Sequence, residues 1–78
     1  MQFKIKDTQL PGEYFAGGEI FHSKKEACER LISYHELDCN MENETQLLKK
    51  GKIDECWNEL SFFEWELEKV RIQNNNTH

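Results

Sequence analysis

One group of side chains in this sequence combines nitrogen and sulfur donors at a spacing that suits a metal: His35-x-x-x-Cys39, with Cys56 further along the chain. Imidazole and thiolate together favour zinc. On a continuous helix, residues 35 and 39 stand one turn apart, about 6 Å along the axis, close enough to share an ion. Cys28 would lie about 16 Å from Cys39 on that helix and joins only if the helix breaks early. Asp38 is the fourth ligand expected, with Cys28, His22, a water or a second subunit as alternatives. A structural zinc on His35, Asp38, Cys39 and Cys56 would tie the end of one helix to another, a staple that a small core invites. The competing reading puts Cys28 and Cys56 in the core and gives Cys39 no role. It rests on the absence of a C-x-x-C pair and on the tendency of free cysteine to be buried.

Catalysis finds less support in the residue pattern. No Gly-rich elbow or oxyanion-hole signature surrounds a cysteine, and His35 beside Cys39 on one helix makes a poor cleft. The Gly17-Gly18 pair is not followed by anything like a phosphate loop. Glu64, Glu66 and Glu68 alternate as solvated carboxylates on a strand would. The expectation is a binding protein and not an enzyme, with no catalytic residues.

A chain of 78 residues has room for one core. Mean hydropathy is −0.86, yet two Trp, two Tyr and five Phe supply enough large apolar surface to argue against a disordered chain. No apolar run approaches the roughly 20 residues that cross a bilayer. The opening MQFKIKDTQL carries no long apolar segment, so a cytoplasmic protein without membrane contact is expected. In that compartment the three cysteines stay reduced.

The net charge of −5 is unevenly arranged, because no Lys or Arg occurs between Arg30 and Lys49 or between Lys52 and Lys69. The first gap holds Glu36, Asp38, Glu42 and Glu44; the second holds Asp54, Glu55, Glu59, Glu64, Glu66 and Glu68. A field of this sign repels nucleic acid and attracts basic protein surfaces, unless the carboxylates simply solvate helix faces. Trp57, Phe62, Phe63 and Trp65 are dense in the second gap, and at least one of them is expected near the surface. An aromatic beside carboxylates makes a protein-binding hot spot. The expected contact residues are therefore Glu36, Asp38, Glu42 and Glu44, then Glu55, Glu59, Glu64 and Glu66, with Trp65 as the aromatic.

The elements that must position these groups follow from periodicity. Phe3 and Ile5 alternate with polar residues, giving a strand over roughly 2 to 7. Leu10-Pro11-Gly12 and Ala16-Gly17-Gly18 are turns, and the loop between and after them has room for a short strand. Ser23-Lys24-Lys25-Glu26 is a capping box, the Ser hydroxyl accepting from the Glu26 amide and the Glu26 carboxylate reaching back to the Ser amide. The helix it opens runs to about Glu36, with Ala27, Leu31 and Tyr34 beside Cys28, Ile32 and His35 as its apolar stripe. Asn40 or Asn43 caps a short second helix that Gly51 ends, and Asp54 caps a third with Ile53, Cys56, Trp57, Leu60 and Phe63 inward. From Glu64 the period changes to that of a strand, with a bulge near Glu68 to explain the shift in phase before Val70 and Ile72. A helix running from Asp54 through Val70 is the competing reading. The whole is one α+β domain over residues 1–73: a small antiparallel sheet of the N- and C-terminal strands, covered by two or three helices, with residues 74–78 a polar tail.

The stretch IFHSKKEACERLISYHELD, residues 20–38, followed by an acidic helical segment and EWELEKV, resembles small accessory proteins of phages and prophages of Gram-positive bacteria. Such proteins include the anti-CRISPR inhibitors of type II CRISPR systems. The resemblance implies a stoichiometric, non-enzymatic inhibitor of a host defence nuclease, working in the host bacterial cytoplasm and not contacting nucleic acid directly. Its acidity suits the positively charged channel of an RNA-guided nuclease. The alternative is a zinc-stabilised regulatory module with an unrelated protein partner.

Overall fold

A computed structural model describes residues 1–70. In order along the chain come strand β1 (Gln2–Asp7), a 3-10 turn (Phe15–Gly17), helices α1 (Lys24–His35), α2 (Glu42–Lys49) and α3 (Ile53–Ser61), and strand β2 (Trp65–Val70). The two strands pair antiparallel, from Gln2 opposite Val70 to Asp7 opposite Trp65. This is the expected α+β architecture, with α1 and α3 packed on a two-stranded sheet and α2 packed on those two helices. The end of the expected domain and its polar tail, with Ile72, lie outside the described residues.

Side chains alternate across the pleat, so Phe3, Ile5, Trp65 and Leu67 share the helix-facing side. Ile5 is fully buried there, against Phe21, Ala27, Cys28, Leu31, Cys56 and Leu60. The outer face carries opposite charges directly across the strands, Lys4 opposite Glu68 and Lys6 opposite Glu66. The loop leaving β1 doubles back along its free edge. Phe21 exchanges both backbone hydrogen bonds with Phe3, each 2.8 Å, and Tyr14 bridges to Lys6, so the short strand anticipated in this loop is reduced to two isolated bridges.

Helix α1 begins where the capping box places it. The Ser23 hydroxyl accepts from the Glu26 amide at 3.1 Å. The return bond lands one residue earlier than expected, since the Glu26 carboxylate accepts from the His22 amide at 3.2 Å. The first two layers of its stripe, Ala27 with Cys28 and Leu31 with Ile32, are buried, but Tyr34 is 51% exposed. The helix outlasts the core by a turn there.

Gly51 ends α2 as expected, whereas the starts of α2 and α3 differ from the sequence expectation. The Asn40 side chain accepts from the Glu42 amide at 2.8 Å, one residue before the position that leads into α2, and Asn43 is already helical. Gly51, at φ 79°, reverses the chain after α2 while the Gly51 and Lys52 amides close back on Leu48 and Leu47. Asp54 is not a cap but a residue of the first turn of α3, where its charge suits the helix dipole and pairs with Lys24 at 2.7 Å. The helix stops at Ser61, which removes the reading of one helix through Val70; Glu64 at φ 71° turns the chain into β2. There is no bulge at Glu68. The register is unbroken, and the shift in phase reflects polarity: Lys69 occupies the helix-facing row opposite Phe3, and Val70 the outer row.

Replacing the cap that starts α1 tests how far the core depends on it. Ser23→Ala should cost about 1 kcal/mol of folding stability, read as a lower urea midpoint at unchanged slope.

Candidate functional site

The C-terminal end of α1 meets the start of β2 and the 3-10 turn, and three aromatic side chains converge there. Phe15 stands edge-on to Tyr34 at 5.2 Å between ring centroids and to Trp65 at 5.5 Å, while Tyr34 and Trp65 are 6.4 Å apart at 77°. Between them opens a groove of about 530 Å³, floored by these rings and edged by Tyr14, Arg30, Ser33 and Leu37. Leu37 is 80% exposed and sits between the exposed carboxylates of Glu36 and Asp38. Phe15 reaches the site because Ala16, at φ 52°, and the two glycines after it wind the backbone through left-handed conformations.

Trp65 is fixed from below. Its indole N–H donates to His35 Nε2 at 2.8 Å, and the His35 ring stacks on Phe63 at 4.1 Å. Indole nitrogen is donor only, so this bond requires a neutral imidazole with its proton on Nδ1. Burial holds the His35 pKa below its ordinary value of 6.5, against the opposing pull of the Asp38 and Glu44 charges.

The expected zinc ligands are divided between two places. His35, Asp38 and Cys39 remain together in sequence at the end of α1, where the Asp38 and Cys39 amides both bond the His35 carbonyl. Cys56 is fully buried in the core. Its thiol donates to the Glu44 carbonyl at 3.4 Å, which ties α3 to α2, and the Cys28 thiol is likewise fully buried. His22 stands at the opposite end of α1, about 18 Å from the end that carries His35. Among the described residues no group of three or more His, Cys, Asp or Glu is placed to hold a metal ion. A zinc tie through His35 and Cys56 would need the Trp65 bond opened, since a metal on either ring nitrogen of the neutral imidazole removes the Nε2 acceptor, and Cys56 drawn out of the core.

The expected acidic contacts are likewise sorted by the fold. Glu36, Asp38 and Glu42 are exposed along the connection from α1 to α2, Glu55 is exposed on α3 and Glu66 on the outer sheet face. Glu59 is half-buried. Glu64 is exposed but accepts the Thr8 hydroxyl at 3.2 Å. Glu44 is 8% exposed and so is not a contact residue: with Leu47 and Leu48 it falls on the inward stripe of α2. Of the aromatics, Trp57 is buried, Phe63 half-buried and Phe62 79% exposed, while Trp65 lines the groove as a surface aromatic should. Tyr34, Leu37 and Phe15 were not legible as site residues. Tyr34 continues an apolar stripe in sequence, and the sole signal for Leu37 is an apolar residue between two acids beyond the end of the helix.

The His35–Trp65 bond makes the site sensitive to pH. A base with a depressed pKa in the folded state binds fewer protons than the unfolded chain, so its contribution to stability is full above about 6.5 and is lost as pH falls below that value. The Trp65 indole N–H resonance should move on acidification through that window, and His35→Gln, which keeps an acceptor but does not titrate, should hold it still.

Thiol chemistry tests the division of the cysteines. Burial pushes Cys28 up to about 12, with the Cys56 thiol adding to the effect, and Cys56 is raised by the same cause. Cys39 is exposed. A thiol reagent at neutral pH should label Cys39 alone in the native protein and all three cysteines in denaturant; protection of Cys39 that a chelator removes would place a metal on it. No protein-family model matches this chain, and no curated protein or solved structure matches it either.

Proposed function

We propose that this domain is a non-enzymatic binding inhibitor from a mobile element. It acts in the bacterial cytoplasm on a basic, nucleic-acid-handling host protein, of the kind that type II CRISPR nucleases represent. The observation that carries the binding reading is the run of exposed carboxylates along the connection from α1 to α2. Among the described residues, ion pairs engage Glu19, Asp54 and Glu68, leaving Glu36, Asp38 and Glu42 as exposed carboxylates in succession beside Leu37. Exposed like charges repel one another and add nothing to the core, so their favourable use is toward a partner of opposite sign. The aromatic groove that Tyr34, Leu37 and Trp65 line at the end of α1 offers apolar contact area of the kind found at the centre of protein-binding patches. The choice of an RNA-guided nuclease as partner rests on the sequence resemblance and on the sign of the charge.

The test is target-DNA cleavage by a purified type II effector and its guide, with the domain added in equimolar amount. Cleavage should stop at stoichiometric ratio and recover as salt is raised. Charge reversal at Glu36, Asp38 and Glu42 together should weaken the complex about tenfold at low salt. Undiminished cleavage with no complex at low salt would remove the nuclease reading.

A further inference from the structure

The two edges of the sheet are finished differently. Phe3 exchanges both backbone hydrogen bonds with Phe21, and the Asp7 amide bonds the Glu13 carbonyl at 3.0 Å, so the odd-numbered residues of β1 turn their backbone groups to the loop. Its even-numbered residues therefore bond β2, through Glu66, Glu68 and Val70. By the same alternation Leu67 and Lys69, which lie opposite Ile5 and Phe3, point both N–H and C=O away from β1. Among the described residues nothing takes these groups up. Neither residue makes a further backbone bond, and of the other elements only β1 and α3 approach the β2 backbone. The loop thus covers the β1 edge and leaves the β2 edge bare.

We propose that the free edge of β2 accepts an extended segment of the partner as a third antiparallel strand, one that alternates basic and apolar side chains. The backbone groups of Leu67 and Lys69 supply the attachment, and the side chains of β2 select the occupant. On this edge Glu66 and Glu68 fall between the backbone-bonded positions, where facing residues come closest, about 4.5 Å between Cα atoms. Glu66 is exposed and, among the described residues, in no ion pair. A Lys or Arg facing these glutamates is favoured, and an Asp or Glu disfavoured. Leu67, between them, is half-buried on the helix-facing side and favours an apolar neighbour. Such a strand already lies on the other side of β2, since Lys4, Ile5 and Lys6 face Glu68, Leu67 and Glu66. A second copy of β2 does not meet these terms. Antiparallel pairing about Leu67 sets Glu66 opposite Glu68, and pairing about either glutamate sets that residue opposite itself. The β1 strand of a second copy is enclosed between its own β2 and loop. The carboxylates that keep two copies apart therefore select a basic strand.

This inference rests on the proposed binding of a basic protein, and the experiment separates the two. Amide hydrogen exchange of the full chain is followed by NMR, alone and with three short peptides. One alternates lysine with isoleucine, one has the same composition with its lysines grouped together, and one alternates glutamate with isoleucine. In the free protein the Leu67 and Lys69 amides should exchange quickly and those of Glu66 and Glu68 slowly. The alternating lysine peptide should slow Leu67 and Lys69 saturably, by about tenfold or more, and the other two should not. Glu66→Lys should weaken that peptide several-fold. Lys69→Pro removes an N–H that β1 does not use, a change that edge strands tolerate, and should abolish the protection of Leu67 at a nearly unchanged urea midpoint. Should that variant not fold, Glu66→Lys and the grouped peptide decide the matter. Binding that leaves Leu67 and Lys69 exchanging quickly, and that reversal of Glu36, Asp38 and Glu42 abolishes, overturns the strand while the acidic contact stands. Equal protection by the grouped peptide overturns the strand as well, and so does the failure of every peptide to bind. Slow exchange at Leu67 and Lys69 in the free protein overturns the choice of occupant. The edge is then covered by a second copy if the sedimenting mass is that of a dimer, and by residues 71–78 if it is that of a monomer.

Discussion

The antiparallel pairing of β1 with β2 joins the two ends of the described chain, and nearly everything else is arranged to make that pairing tolerable. Two strands alone are marginal in water, and bringing residues so distant in sequence into register carries a loop-closure cost before any contact is gained. Ile5 and Leu67 form the helix-facing centre of the ribbon, so α1 and α3 must lie across that face to exclude water from it. The loop after β1 serves the same end. By returning Phe21 to bond Phe3, it satisfies part of the free edge and delivers a fully buried ring to the core.

The pairing also determines where the site forms. Because Trp65 opens β2 opposite Asp7, it arrives beside the last turn of α1 and not among the residues that precede it in sequence. There it meets His35, and the indole–imidazole bond joins a strand to a helix that share few other polar contacts. A half-buried histidine used as an acceptor must stay neutral, so its chemistry is that of a positioning group for Trp65. Two of the donors that looked like a metal set are engaged elsewhere: His35 holds Trp65, and Cys56 donates to the Glu44 carbonyl inside the core.

Charge is used in two ways on this surface. On the outer face of the sheet and at Glu19, carboxylates meet cations of the same chain near aromatic rings, one pair across the two strands and the other between the loop and α1. Along the connection between α1 and α2 they do not. Since exposed pairs contribute little to stability in any case, the difference matters more for recognition than for folding.

The sequence alone determined the elements, because their signals are local: alternation over 2–7 and from Trp65, a Ser-x-x-Glu start for α1, and Gly51 to end α2. It also determined that negative charge gathers after Arg30. Which of those charges reach solvent was decided only in three dimensions, since Glu44 lands on the inward stripe of α2 and Glu68 beneath Tyr14. The same holds for the chemistry of His35, Cys39 and Cys56. The spacing of His35 and Cys39 describes one helix, whereas a partner thirty residues away, Trp65, takes the imidazole, and the core takes the Cys56 thiol. Spacing reports what can meet along a helix; what does meet depends on long-range packing, which no local pattern encodes.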